Sequence, residues 1–444
     1  GKSFWDTLSE KKCNVALVKI PVLYPVYEVN GCMISGFGST GKLAVYPKQL
    51  YKRVKSGPNE FRERQLFGKK INTQDLVECQ TYIRELQTVM REEAEIALEL
   101  AGTLPWNLFF YVVSMTDWIQ HYFMDRILEL MQKMKPQSQA DLDIVDKEIL
   151  RFYQILDELV EQSLRLLEKE EDTAFFIVSD HGFTIRPYTF NIGKWLIDRG
   201  YMIIRGNKND QKGRSKRIYD LINRLPWDYL FKLLPSRVLS YFADVYLQLS
   251  MKRQLHITNA IDFENSSVYC LDDYSIYINP TRDKAKILDA LMMELEDTLK
   301  QYNVNPIFYK CHEIYTGNKT DLAPDLLFEI NDDSNKWERS TDLSQPLVFK
   351  PNLSGIHDRY GIFVAYGPQI NKGLILPKIR IYDIAPTILH MFDAPIHKEV
   401  DGRVLKEIFV ESSTFFHKKI CYQEVSMKRE VRQRIQILKN RNRL

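Results

Sequence analysis

The chain has 444 residues, 45% hydrophobic and 27% charged, with a formal net charge of +3. This is the composition of a globular protein with a large core; it excludes a disordered or fibrous chain, and the small charge gives no ground for a nucleic-acid partner. No run of about 18 apolar residues is present, so no transmembrane helix is expected, and the six scattered cysteines (Cys13, Cys32, Cys79, Cys270, Cys311, Cys421) read as reduced thiols of a cytoplasmic protein rather than a disulfide framework.

The chain opens Gly-Lys-Ser-Phe-Trp-Asp, without Met or a signal peptide, at what reads as the start of a helix. Upstream sequence is therefore expected to be missing. Ser3 to Lys11 fits a helix with Ser3 as N-cap, and Val15 to Ile20 a strand ending at Pro21. Residues 21–50 are rich in Gly and Pro and read as loop. Apolar residues at helical spacing (Leu76, Tyr82, Leu86, Val89, Ile96, Leu100) predict a helix from Thr73 to Ala101, ended by Gly102. Leu108 to Ser114 is apolar and aromatic throughout, as a strand covered on both faces would be. A helix from Ile119 to Lys135 stops at Pro136, and a long amphipathic helix spans Asp143 to Glu171. Ala174 to Val178 is a short apolar run that reads as a buried strand. Strand, helix, helix and strand thus recur, which predicts a mostly parallel sheet with crossover helices.

Residues 184–256 break that rhythm. They contain a basic polar stretch from Arg205 to Arg217 and an aromatic-rich region with Trp227, Tyr229, Phe231, Tyr241, Phe242 and Tyr246. They are expected to form an insertion or cap over the strand tips. Strands follow at 267–271 and 275–278, a helix from Lys284 to Tyr302, and strands at Asp325–Ile330 and Gly361–Tyr366, the last preceded by a Gly-X-His turn. Asp383 to His390 reads as a helix capped by Asp383, and residues 428–444 as a basic tail.

Three small constellations could carry chemistry. Asp180 and His181 sit where the 174–178 strand ends, the edge at which open α/β sheets bind ligands. A carboxylate and an imidazole there form a natural half of a divalent-metal site. Asp117 and His121 are four residues apart, across the first turn of a helix that follows a strand, so both side chains can aim at one point. His357 lies in a loop before a strand. Taken singly, each has an ordinary explanation: a solvated strand tip, a helix cap beside a partly buried His, a loop His. Together they place five metal-ligand residues at strand-to-loop junctions along one sheet edge, and two ions there could hold the attacking and leaving oxygens of an in-line displacement.

The set Thr-Asp117-x-x-Gln-His121, Ser-Asp180-His181-Gly and Gly-x-His357-x-x-x-Gly resembles the alkaline phosphatase superfamily. More narrowly, it is similar to the type I phosphodiesterase/nucleotide pyrophosphatase branch in its archaeal or bacterial soluble form. Asn191-Ile-Gly-Lys-Trp-Leu, Ala323-Pro-Asp-Leu-Leu-Phe-Glu-Ile, Tyr382-Asp-Ile-Ala-Pro-Thr-Ile-Leu-His and Asp401-Gly-Arg-Val-Leu support it. The resemblance spans Gly1 to about Phe409. It implies a single α/β domain over 1–444, with a mostly parallel central sheet, helices on both faces and 184–256 as inserted cap. It implies one metal on Asp117, His121 and His357 and a second on Asp180 and His181, the ions being zinc first and manganese as the alternative. The second metal would also take an aspartate and the nucleophilic Thr or Ser, both expected upstream of Gly1. The segment from Ser35 to Thr40 is set aside as nucleophile, because the family has an ordinary loop there.

The implied activity is hydrolysis of small phosphate esters or nucleotides through a phospho-enzyme. The alternatives are a phosphomonoesterase, phosphomutase or sulfatase of the same superfamily, or a truncated or degenerate member that binds metal without turnover. No cysteine here lies in the pattern that sulfatase modification requires.

Overall fold

A computed structural model describes residues 2–38, 43–54, 66, 69–133, 142–167, 172–205, 260–317, 320–331 and 336–424. Helices of seven residues or more are numbered here. The chain begins with α1 (Phe4–Glu10), where Ser3 is the N-cap and its N–H donates to Asp6 Oδ2 at 2.9 Å. Next come β1 (Val15–Ile20), β2 (Gly31–Ser35) and β3 (Val45–Tyr46). They are followed by α2 (Leu76–Thr103), β4 (Leu108–Tyr111), α3 (Met115–Lys133) and α4 (Ile144–Leu167).

These strands form one sheet in the order β3-β2-β1-β4, with β1 parallel to both β2 and β4. β1 is apolar on both faces because both faces are covered. Val15 and Leu17 join a core with Leu8, Met33 and Leu389, while Ala16 and Val18 join one with Cys32, Ile34 and Leu100. The three long helices bury a core of their own around Tyr82, Leu86, Phe123, Ile149 and Phe152. Asp75 caps α2 by accepting from the N–H groups of Val77 and Glu78. Gly102 lies inside the last turn of α2 rather than after it, because the helical ladder continues to Leu104, whose N–H donates to Leu100.

β5 (Phe175–Val178), β6 (Gly182–Ile185), β7 (Thr189–Asn191) and α5 (Ile192–Asp198) come next. β8 (Val268–Cys270), β9 (Ile276–Ile278), α6 (Lys284–Lys300), β10 (Asn305–Lys310), β11 (Leu326–Asn331) and β12 (Lys336–Ser340) follow. β13 (Val348–Phe349), β14 (Gly355–Asp358), β15 (Phe363–Tyr366) and α7 (Ile384–Met391) complete the numbered elements. A second, mainly antiparallel sheet runs β13-β7-β12-β11-β9-β8, with β10 against β11. α5 and α6 pack on it through Trp195, Leu196, Leu291 and Leu295, over Phe190, Phe328 and Trp337.

Several findings differ from the reading of the sequence. Residues 31–35 and 45–46, read as loop, are the strands β2 and β3. His357 is not in a loop: it lies within β14, which pairs antiparallel with β6. β5 pairs antiparallel with β15, its one partner among the described residues, and its tip residue Val178 is 37% exposed rather than buried. The stretch expected to begin a cap at 184 opens instead with the end of β6 and runs on into β7 and α5, whose Phe190, Ile192 and Trp195 are part of the second core. The rest of that stretch, 206–259, and the tail at 428–444 lie outside the described residues.

α7 ties the two parts of the molecule together. Ile388 and Leu389 pack with Leu108 and Phe110 of β4, while Ile384 and Met391 pack with Phe176 of β5 and Phe363 of β15. β4 and β5 therefore lie under one helix. Among the described residues, β4 pairs with β1 alone and β5 with β15 alone. No helix among these residues is long and apolar enough to cross a membrane.

Candidate metal centre

After β4 the backbone is still held to β1, through the Val112 N–H donating to Val18. It then turns into α3, with the Asp117 N–H bonded to the Ser114 carbonyl at 3.2 Å. An aspartate in the first turn of a helix is favoured by the helix dipole whatever else it does. His121, one turn on, shares its face. The helix backbone lies directly against β14: a Cβ on Gly355 would stand 2.2 Å from the Gln120 carbonyl oxygen, so only glycine fits.

From the other side, β5 ends at Ser179. Its Oγ accepts from the Ile362 N–H at 2.7 Å and pins the turn to the segment entering β15. Asp180 and His181 follow. A Cβ on Gly182 would lie 1.9 Å from the Tyr360 carbonyl oxygen, so the glycine after the Asp-His pair answers to a close backbone approach.

These contacts bring Asp117, His121 and His357 together, with all ligand atoms within 4.8 Å of one another. Asp117 Oδ1 is the hub: it lies 3.0 Å from His357 Nε2, 3.5 Å from His121 Nε2 and 3.8 Å from His181 Nε2. The Nε2 atoms of His121 and His357 are 3.1 Å apart. Asp180 reaches His181 Nε2 at 3.5 Å but points into solvent, its side chain 83% exposed. The five residues singled out in the sequence thus gather around one place: three form a compact group, His181 touches it through Asp117, and Asp180 hangs at its edge.

The donor chemistry fits a divalent ion. His121 Nδ1 faces the Gly355 carbonyl at 3.3 Å and His181 Nδ1 faces the Gly182 carbonyl at 3.1 Å. A proton on Nδ1 donates to that carbonyl and leaves the Nε2 lone pair free, the tautomer a metal needs. Burial, the largest influence on His121, lowers its pKa from 6.5 against the pull of Asp117, which favours the neutral ring.

Sequence reasoning missed Phe183, which is the cross-strand partner of His357, and Ser179 as the residue that pins the turn. Ser35, in the segment set aside as nucleophile, is 2% exposed and its Oγ accepts from the Ala44 N–H.

A search of curated proteins found no match. A family model described as type I phosphodiesterase / nucleotide pyrophosphatase matches residues 1–269, more than half of the chain. The mixed α/β architecture accords with the alkaline-phosphatase-like fold of that group. The chain belongs to the type I phosphodiesterase / nucleotide pyrophosphatase family, within the alkaline phosphatase superfamily.

Proposed function

We propose that the protein is a metal-dependent phosphodiesterase or nucleotide pyrophosphatase acting on small phosphate esters and nucleotides, with two divalent ions, zinc by preference. The observation that carries this reading is the convergence of Asp117, His121 and His357 within 4.8 Å beside the Asp180-His181 turn. Asp117, His121 and His357 would hold one ion, and Asp180 and His181 would share the other. Bound there, the ions supply positive charge that stabilises a phosphoryl oxygen and lowers the pKa of a hydroxyl nucleophile.

The chain's own residues fix the geometry for this chemistry. The Gly355 and Gly182 carbonyls orient two imidazoles, burial favours the neutral form of His121, and Asp117 stands between the two groups of ligands. In this reading the nucleophilic Thr or Ser and a further aspartate arrive on a strand between β4 and β5. The pairing of each of these strands on one side only among the described residues supports that placement. The hydroxyl gives up its proton as its oxygen attacks phosphorus; the P–O bond to the leaving alcohol or nucleotide breaks and that group takes up a proton, and water then cleaves the enzyme ester, releasing the phosphate monoester and restoring the hydroxyl.

Hydrolysis of bis-p-nitrophenyl phosphate by the full-length protein, with and without a chelator and with His357→Ala, tests this. Hydrolysis lost in both cases is expected; hydrolysis that survives metal removal and the substitution would end the reading. Comparison with p-nitrophenyl phosphate separates a diesterase from a monoesterase.

A further inference from the structure

A histidine that ligates a metal must hold its ring plane as well as its position, because rotation about the Cβ–Cγ bond swings Nε2 off target and that rotation is intrinsically soft. His121 and His181 have backbone carbonyls at Nδ1 that set the plane. His357 makes its hydrogen-bonding contacts through Nε2, to Asp117 and His121. Its ring is placed by packing. It stacks on His181 at 3.7 Å between centroids, 21° from parallel, and the edge-to-face ring of Phe183 meets it at 5.1 Å and 80°.

Phe183 touches the other two imidazoles as well. Its ring centroid is 5.0 Å from that of His121, at 82°, and 5.4 Å from that of His181, at 59°. It sits opposite His357 in the β6–β14 ladder, so its place is set by strand register and not by the ligands it meets. We infer that Phe183 is the positioning residue of the metal centre, a single aromatic wall that holds the ring plane of His357 and backs the rings of His121 and His181. The inference rests on the metal-site reading above. Phe183 itself offers no donor to the ion; it acts through the three histidines.

The test uses the whole chain and cobalt(II), whose visible absorption reports ligand geometry. Phe183→Ala is expected to weaken cobalt(II) binding about ten-fold and alter the visible bands, while Phe183→Tyr, which keeps the ring, restores both. Phe183→Leu fills the space without a ring and is expected to behave like the Ala variant, which covers the case in which Phe183→Ala does not fold. Phe328→Leu, in the second core, controls for lost stability: its melting point falls and its cobalt affinity does not.

In the metal-free protein, histidine-selective NMR is expected to show the nuclear Overhauser contacts between the His357 and His181 rings weakening in the Leu and Ala variants and returning in the Tyr variant. Wild-type affinity and bands in both variants, or unchanged contacts between the two rings, would overturn the inference and leave the functional reading standing. A wild-type chain that takes up no cobalt would overturn the functional reading, and the inference with it.

Discussion

The two halves of the candidate centre are built differently. Asp117 and His121 stand on a helix, and His357 stands on a strand; the two elements are pressed together at Gly355 and backed by Phe183. Asp180 stands on a turn, and its nearest anchor is its own chain, the His181 N–H donating to Oδ1 at 3.1 Å. The first half is pre-organised by contacts that exist without any ion. The second half has its imidazole set and its carboxylate loose. Ligands already in place bind tighter, because their ordering is not charged against the ion. In the proposed two-ion centre, the difference between the halves predicts two metal affinities, with the tighter at Asp117, His121 and His357.

Breaking the ordered half is expected to have the largest effect. His357→Ala should weaken the tighter metal event at least a hundred-fold in a calorimetric titration, more than the loss typical of supporting residues. Gly355→Ala comes next. Its new Cβ would collide with the Gln120 carbonyl 2.2 Å away, so α3 and β14 must part. A stability loss of about 1–3 kcal/mol by denaturant unfolding is expected, together with weaker binding at the first half and unchanged binding at the second. Asp180→Ala should cost the weaker event about ten-fold and spare the tighter one. An equal loss at both would mean the halves are one site.

The smallest effect sharpens the comparison by exclusion. His390 is 3% exposed and its Nε2 lies 2.7 Å from the Phe415 carbonyl. Burial, the largest influence, lowers its pKa below 6.5. Between its folded pKa and 6.5 the unfolded chain binds the proton more readily, so His390 contributes stability above 6.5 that is lost as pH falls through that window. His390→Gln should flatten the acid side of the stability profile in chelator and leave the metal titration unchanged.

The local parts of the centre were legible in the sequence. An apolar run ending in Ser-Asp-His-Gly, and Asp and His four apart after a strand, are short-range patterns with direct structural meaning. What the sequence hid is long-range. The Gly355–Asp358 segment is only four residues long and pairs with Gly182–Ile185, far away in the chain, so nothing near His357 announces a strand. The same holds for Thr189–Asn191, whose partners in the second sheet are β12 and β13. Three residues carry too little alternation to be recognised, and their neighbours looked like the start of an insertion. Phe183 reads as one more apolar strand residue until its partner is known.

The packing of α7 across β4 and β5 has a consequence for the chemistry of the centre. The tips of those strands lead to Asp117 and to Asp180, and the helix packs against both strands through its apolar side chains. It works as a gauge: its side-chain volumes set how far apart two ions could sit. In the proposed two-ion centre, trimming Leu389 or Met391 would therefore retune the distance between the ions without touching a ligand, and that spacing would be written in the hydrophobic core.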